Sequence, residues 1–134
     1  MLKKIIAAIL LVGFVITSLN VTAHEGHDHA PGTLKANFGG VVKAGKDINL
    51  EYVIKGEEVE LYPTSHEGVS LKSTDVQLQA TAKVPKGKAE ELKLEIKGEA
   101  YTAKLDFKGA YRVEVVVTAD NKGKKSTFKF QVEK

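Results

Sequence analysis

The chain of 134 residues contains no cysteine, which excludes disulfide bonds, thiolate metal sites and cysteine nucleophiles. Its 20 lysines and arginines slightly outnumber its 17 aspartates and glutamates, and the formal net charge is +3. The lysines alternate with acidic residues and form no cluster interleaved with aromatic residues, so we expect no nucleic-acid partner.

Residues 1–23 have the three-part layout of a bacterial secretory signal. Two lysines precede an apolar run over residues 5–16, and Val21-Thr22-Ala23 supplies small or modest side chains before a cleavage point. The run is shorter than the roughly 20 residues that a membrane-spanning helix needs. We therefore predict cleavage after Ala23, a periplasmic or secreted bacterial protein, and no membrane span after cleavage. The alternative is an uncleaved N-terminal anchor.

Residues 24–35, with the sequence HEGHDHAPGTLK, show no periodic pattern. Pro31-Gly32 would keep this stretch from joining a helix or a central strand. We predict a flexible His-rich tail that precedes a single folded domain over residues 36–134.

From Gly39 onward, apolar and polar residues alternate with a period of two, which is typical of antiparallel strands with one solvated face. Glycine- and proline-containing turns separate the runs. The predicted inward-facing positions are every second residue of 48–54, 59–61, 76–84, 92–96, 101–107, 111–117 and 128–132. This spacing predicts an all-β fold, an immunoglobulin-like antiparallel β-sandwich of seven to eight strands.

Tyr111 follows a glycine corner at Gly109 and begins the penultimate predicted strand. Immunoglobulin-like sandwiches place there a tyrosine whose hydroxyl bonds back to the main chain. We predict such a tyrosine corner, and the alternative is an ordinary core tyrosine.

No set of residues in the sequence is typical of an enzyme. Ser65, His66 and Glu67 are adjacent, but neighbouring residues of an extended chain point in opposite directions, and hydrolase triads converge from separate elements. Phosphate-binding glycine loops, dinucleotide fingerprints and nucleophile elbows are absent from the sequence. We predict that the protein is not an enzyme.

Three of the four histidines lie in the predicted tail, at His24, His27 and His29, together with Glu25 and Asp28. Neutral imidazoles bind copper, zinc, nickel and cobalt, and carboxylates can complete the coordination. Cleavage after Ala23 would add the α-amine of His24, a chelate that suits Cu(II). We predict a site for a divalent transition metal, with copper or zinc favoured; the alternative is a polar spacer.

The fourth histidine, His66, lies in the predicted loop 62–68. It is either a solvent-exposed loop residue or a further ligand that the tail folds over to meet. The predicted metal ligands are therefore His24, His27, His29, Asp28 and His66, with Glu25 as a supplement.

Four short segments resemble a known module: 38–42 (FGGVV), 50–53 (LEYV), 59–62 (VELY) and 66–68 (HEG). They are similar to the small β-sandwich domain of periplasmic adaptors of heavy-metal (cobalt-zinc-cadmium and copper) efflux pumps and of stand-alone exported relatives. The resemblance implies metal handling in the cell envelope. It implies that Gly39-Gly40 form the opening turn of the domain and that His66 is the loop position that follows the Leu61-Tyr62 strand end.

Phe38 stands where that family often has histidine, which moves the expected metal site to the tail. The chain lacks the coiled-coil hairpin and barrel domains of an adaptor, so the expected partner is a heavy-metal efflux system or another envelope protein. A β-sandwich with an N-terminal histidine is also similar to periplasmic copper carriers, although their paired Asp and His have no clear match here.

The sequence thus predicts an exported protein that buffers or delivers a divalent transition metal (Cu, Zn, Co or Ni) in the periplasm. The alternative is a metal-independent protein-interaction module of the envelope. Val53 and Val116, apolar residues on otherwise polar strand faces, would suit that alternative.

Overall fold

The structure, a computed structural model, describes residues 34–134, which form nine β-strands. Among these residues no helix is long and apolar enough to cross a membrane. The strands are β1 (Val41–Ala44), β2 (Asn49–Lys55), β3 (Glu58–Thr64), β4 (Val76–Lys83), β5 (Glu90–Leu92), β6 (Glu95–Lys97), β7 (Ala100–Lys104), β8 (Arg112–Asn121) and β9 (Lys124–Glu133).

The strands form two sheets in which every neighbouring pair is antiparallel. The five-stranded sheet has the order β1-β2-β3-β7-β6, and the four-stranded sheet has the order β5-β4-β8-β9. The predicted all-β antiparallel sandwich is confirmed, with nine described strands instead of seven or eight.

The alternating run over residues 92–96 belongs to two strands and not to one. Leu92 on β5 pairs with Ala80 in the four-stranded sheet, whereas Ile96 on β6 pairs with Tyr101 in the five-stranded sheet. The chain therefore crosses between the sheets at residues 93–94. Alternation reports which side chains point inward but not which sheet carries them, so the pattern alone could not reveal the crossing.

The core is a single apolar layer between the two sheets. Val59 and Leu61 of the five-stranded sheet and Val113, Val115 and Val117 of the four-stranded sheet are fully buried. The rings of Tyr52 and Phe130 stack across the layer with their centroids 3.8 Å apart. The long strands β3, β4, β8 and β9 bury every second side chain over most of their length, as the period of two predicts.

Ile54 and Ile96, two of the predicted inward positions, are exposed because they lie at the margin of the sandwich. Ile54, next to the β2–β3 turn, is 36% exposed, and Ile96, on the three-residue edge strand β6, is 57% exposed. Alternation places both on the inner face, but the facing sheet does not extend far enough to cover them.

The predicted tyrosine corner at Tyr111 is wrong, and so is its alternative as a core residue. Tyr111 is 63% exposed, and its hydroxyl donates to the Glu133 carboxylate at 3.2 Å. The tyrosine that bonds to the main chain is Tyr101, which is buried and donates to the carbonyl oxygen of Val76 at 2.6 Å. Burial raises the pKa of Tyr101, so its hydroxyl stays protonated and links β7 to β4.

Tyr101→Phe and Tyr111→Phe remove the same hydroxyl group but should differ in their effect on stability. We expect Tyr101→Phe to lower the free energy of unfolding by about 1–2 kcal/mol, because a buried hydrogen bond between the sheets is lost. Tyr111→Phe removes an exposed hydrogen bond and should cost less than about 0.5 kcal/mol. Urea denaturation of both variants checks the contrast, and equal effects would contradict it.

Candidate functional site

The segment that leads into the sandwich, residues 34–40, is called the entry segment here, and a buried carboxylate binds it. Glu51 on β2 is only 1% exposed. Its Oε1 accepts the backbone N–H of Asn37 at 2.7 Å, and its Oε2 accepts those of Phe38 and Gly40 at 2.8 and 2.9 Å. Three N–H donors replace the water that a carboxylate loses on burial, so they fix the course of the entry segment.

Apolar and steric contacts also hold the entry segment against the five-stranded sheet. The ring of Phe38 stacks on that of Tyr62, with the centroids 3.9 Å apart. A Cβ on Gly40 would lie 2.2 Å from the carbonyl oxygen of Tyr52 and 2.8 Å from Cγ2 of Val53. Only glycine permits the backbone to approach β2 this closely.

The entry segment also contacts the loop that carries His66, residues 65–70, called the His66 loop here. The side-chain amide of Asn37 donates to the carbonyl oxygen of Gly68 at 2.9 Å. Within the loop, Ser65 N donates to Val69 O at 2.8 Å, and Gly68 N donates to Ser65 O at 2.9 Å. The chain therefore enters the sandwich beside a loop of defined conformation.

His66 is partly buried, and the contact of its Nε2 sets the tautomer of its ring. Nε2 lies 3.1 Å from the carbonyl oxygen of Gly45. A carbonyl oxygen only accepts, so Nε2 carries the proton, and Nδ1 of the neutral ring keeps a lone pair. Within residues 34–134, Nδ1 makes no hydrogen bond. The Nε2 contact therefore fixes the ring orientation and leaves Nδ1 as the nitrogen with the lone pair.

Of the predicted metal ligands, only His66 falls within the described part of the chain. His24, Glu25, His27, Asp28 and His29 lie outside it, as do the predicted signal and its cleavage point. Among residues 34–134 no three His, Asp or Glu side chains lie together in a group that could hold a metal ion. Within the described residues, His66 is thus the one predicted ligand present, and no group of metal ligands surrounds it.

The alternation over residues 48–54 places Glu51 on the solvated face of its strand and does not reveal its role. Its position on the outer face of β2 is as expected, but the entry segment covers it. The available signal was the Gly39-Gly40 pair upstream, because two glycines allow backbone N–H groups to turn toward an anion.

Comparisons with known proteins show similarity of fold. No family model matches the sequence, and no curated protein matches it. Among solved structures, the chain is similar to the crystal structure of a DUF4426 family protein from Pseudomonas aeruginosa PAO1. The TM-score is 0.53 at 16% sequence identity, and the match covers 69% of this chain and 94% of that chain.

The resemblance to heavy-metal efflux adaptors is therefore wrong. The chain is instead similar in fold to the DUF4426 protein, and the short motifs that suggested the adaptors have local structural roles. Phe38 stacks on Tyr62, and Gly40 fits against the Tyr52 carbonyl. What the comparisons establish for this chain is that it has the fold of a small β-sandwich.

Proposed function

We propose that the protein is exported to the bacterial periplasm, where it buffers or delivers a divalent transition metal, with copper or zinc favoured. The ligands are His24, His27 and His29 of the tail, Asp28, and His66 of the sandwich. The protein acts by binding and is not an enzyme. The partner that receives the metal is another envelope protein, such as a metal-efflux system.

The observation that carries this proposal is the contact between the entry segment and the His66 loop. Asn37 bonds to Gly68, two residues after His66, so the chain that follows the tail enters the sandwich beside the loop that carries this histidine. His29 precedes Asn37 by eight residues, and an extended chain of that length reaches up to about 26 Å. The tail is thus long enough to bring its histidines to His66.

The ring of His66 has the orientation that metal-binding histidines usually show. Such residues commonly donate one ring N–H to a main-chain carbonyl or a carboxylate, which fixes the tautomer and leaves the other nitrogen for the metal. Here Nε2 donates to Gly45 and Nδ1 is left as the ligand atom. Imidazole nitrogens with one carboxylate form a donor set that suits zinc or Cu(II).

We also propose that the sandwich is immunoglobulin-like. The order β2-β3-β7-β6 corresponds to strands A-B-E-D of the immunoglobulin fold, and β9-β8-β4 corresponds to G-F-C, with β5 in the place of C′. In that correspondence β1 is an additional edge strand, and Tyr111 occupies the tyrosine-corner position without making the corner bond.

The alternative, a metal-independent interaction module, rested on Val53 and Val116. Val53 is partly buried and lies beneath Gly40 of the entry segment, so it packs within the protein. Val116 is partly buried between Thr81 and Lys129 on the outer face of the four-stranded sheet. The two valines therefore give the alternative little support.

Calorimetric titration with Zn(II) and Cu(II) tests the proposal on the chain that begins at His24. We expect micromolar or tighter binding and a loss of at least about tenfold in affinity when His24, His27 and His29 are all changed to alanine. His66→Ala alone should weaken binding by about tenfold, or about 1.4 kcal/mol.

Glu67→Ala serves as the matched control, because Glu67 is an exposed neighbour of His66 in the same loop. It should bind metal as the unchanged chain does. Equal affinity of the triple histidine variant and the unchanged chain would refute the tail as the site. No binding by the unchanged chain would refute metal handling altogether.

A further inference from the structure

The two sheets have four edge strands, and one of them is far longer than the rest. β1, β5 and β6 contain 4, 3 and 3 residues, whereas β9 contains 10. Short edge strands offer little backbone for a further strand to pair with. Within residues 34–134, β9 pairs only with β8, so its other side is an open edge.

The register of β8 and β9 identifies the backbone groups on this edge. Lys134 N donates to Tyr111 O at 2.9 Å, which continues the ladder in which Val113 pairs with Val132. In an antiparallel ladder, alternate residues exchange both hydrogen bonds and the residues between them point away. The N–H and C=O groups that point away from β8 are those of Lys125, Thr127, Lys129, Gln131 and Glu133.

The side chains of these five residues lie on the outer face of the sheet and are exposed, while Ser126, Phe128, Phe130 and Val132 between them are buried. Their order is self-complementary about Lys129. If two copies of β9 meet in antiparallel orientation with Lys129 opposite Lys129, Lys125 of each copy faces Glu133 of the other. Thr127 likewise faces Gln131.

The two central lysines are the one unfavourable pair in this register. Like charges directly opposite each other destabilise a sheet. However, Lys129 Nζ already lies 3.4 Å from a carboxylate oxygen of Glu114 on β8, which offsets its charge. Edge strands that carry only lysines are protected from pairing by charge repulsion. β9 differs from them, because opposite charges lie at its two ends and the charge of its central lysine is offset.

We propose that β9 is a docking edge for a second copy of this chain. The two four-stranded sheets would join into one continuous sheet through about ten backbone hydrogen bonds between the two β9 strands. The lysine–glutamate pairs at the two ends would fix the register. The inference is independent of the metal-binding proposal, since it uses neither the tail nor His66.

Sedimentation equilibrium over a range of concentrations tests the dimer on the chain that begins at His24, which retains every residue of the sandwich. We expect a reversible doubling of mass. Glu133→Lys and Lys125→Glu should each raise the dimer dissociation constant by about tenfold, because each puts two like-charge pairs in place of two opposite-charge pairs. The double variant K125E/E133K restores the pairs and should return to within about threefold of the unchanged chain.

Lys129→Pro provides a second test that does not depend on charge. Proline is tolerated on an edge strand where the lost N–H faces solvent, and it removes the central donor of the docking edge. We expect this variant to be monomeric. A chain that stays monomeric up to millimolar concentration would overturn the proposal, as would a dimer that none of these substitutions weakens.

Discussion

Replacing Glu51 by glutamine should lower the free energy of unfolding by about 2–4 kcal/mol, although the two side chains have nearly the same shape. The carboxylate accepts three backbone N–H groups from the entry segment, and both of its oxygens take part. An amide has one oxygen, and its NH₂ group would face at least one of these donors. At least one buried N–H then loses its partner, and the remaining hydrogen bonds are weaker because the acceptor is no longer charged.

Urea denaturation measures the effect, with Glu91→Gln as the matched control. Glu91 lies on β5 and is exposed, so its change should cost less than about 0.5 kcal/mol. We also expect the amide resonances of Asn37, Phe38 and Gly40 to shift in Glu51→Gln, since their N–H donors lose the carboxylate. A stability for Glu51→Gln equal to that of the control would show that the carboxylate does not hold the entry segment.

Gly40→Ala should cost about 3 kcal/mol, which is more than a residue on a surface segment usually contributes. The added Cβ would lie 2.2 Å from the carbonyl oxygen of Tyr52, a main-chain atom inside a strand that cannot easily move. The entry segment would have to lift away from β2. That movement would break the bond from Gly40 N to Glu51 and leave part of the carboxylate buried without a donor.

Gly39→Ala is the control. A glycine with a positive φ is usually the one expected to tolerate alanine least, and here we expect the opposite order. Gly39 has a φ of +79°, but a Cβ there meets nothing within 4 Å, so only the backbone strain of about 1 kcal/mol applies. Gly40→Ala should therefore be the more destabilising change, as measured by urea denaturation. Since Gly40→Ala and Glu51→Gln release the same segment, the double variant should lose less stability than the two losses added. A greater loss for Gly39→Ala would contradict the packing described here.

The sandwich could be predicted from the sequence because burial alternates along the four long strands β3, β4, β8 and β9. Val113, Val115 and Val117 are inward in both the pattern and the structure. Alternation is a local signal, however, and says nothing about the extent of the facing sheet. Tyr111 and Ile96 fit the pattern and are exposed, since nothing in the described part of the opposite sheet covers them.

The candidate site was less predictable because it depends on contacts between distant parts of the chain. His66 was recognised as a candidate from its residue type, but its bond to Gly45 and the resulting tautomer depend on two loops that meet only in the folded protein. Glu51 looks like any outward carboxylate until the entry segment is seen to cross it. A residue pattern with a period of two does not encode a segment that lies across a sheet face.

If the tail histidines and His66 hold one metal ion together, as we propose, NMR of the histidine rings will detect it. Long-range ¹H–¹⁵N correlation spectra of the chain from His24 report the state of each ring nitrogen with and without Zn(II). We expect that Nε2 of His66 stays protonated while its Nδ1 shifts to a metal-bound position together with the rings of His24, His27 and His29. Shifts confined to the tail rings, with Nδ1 of His66 unchanged, would contradict it.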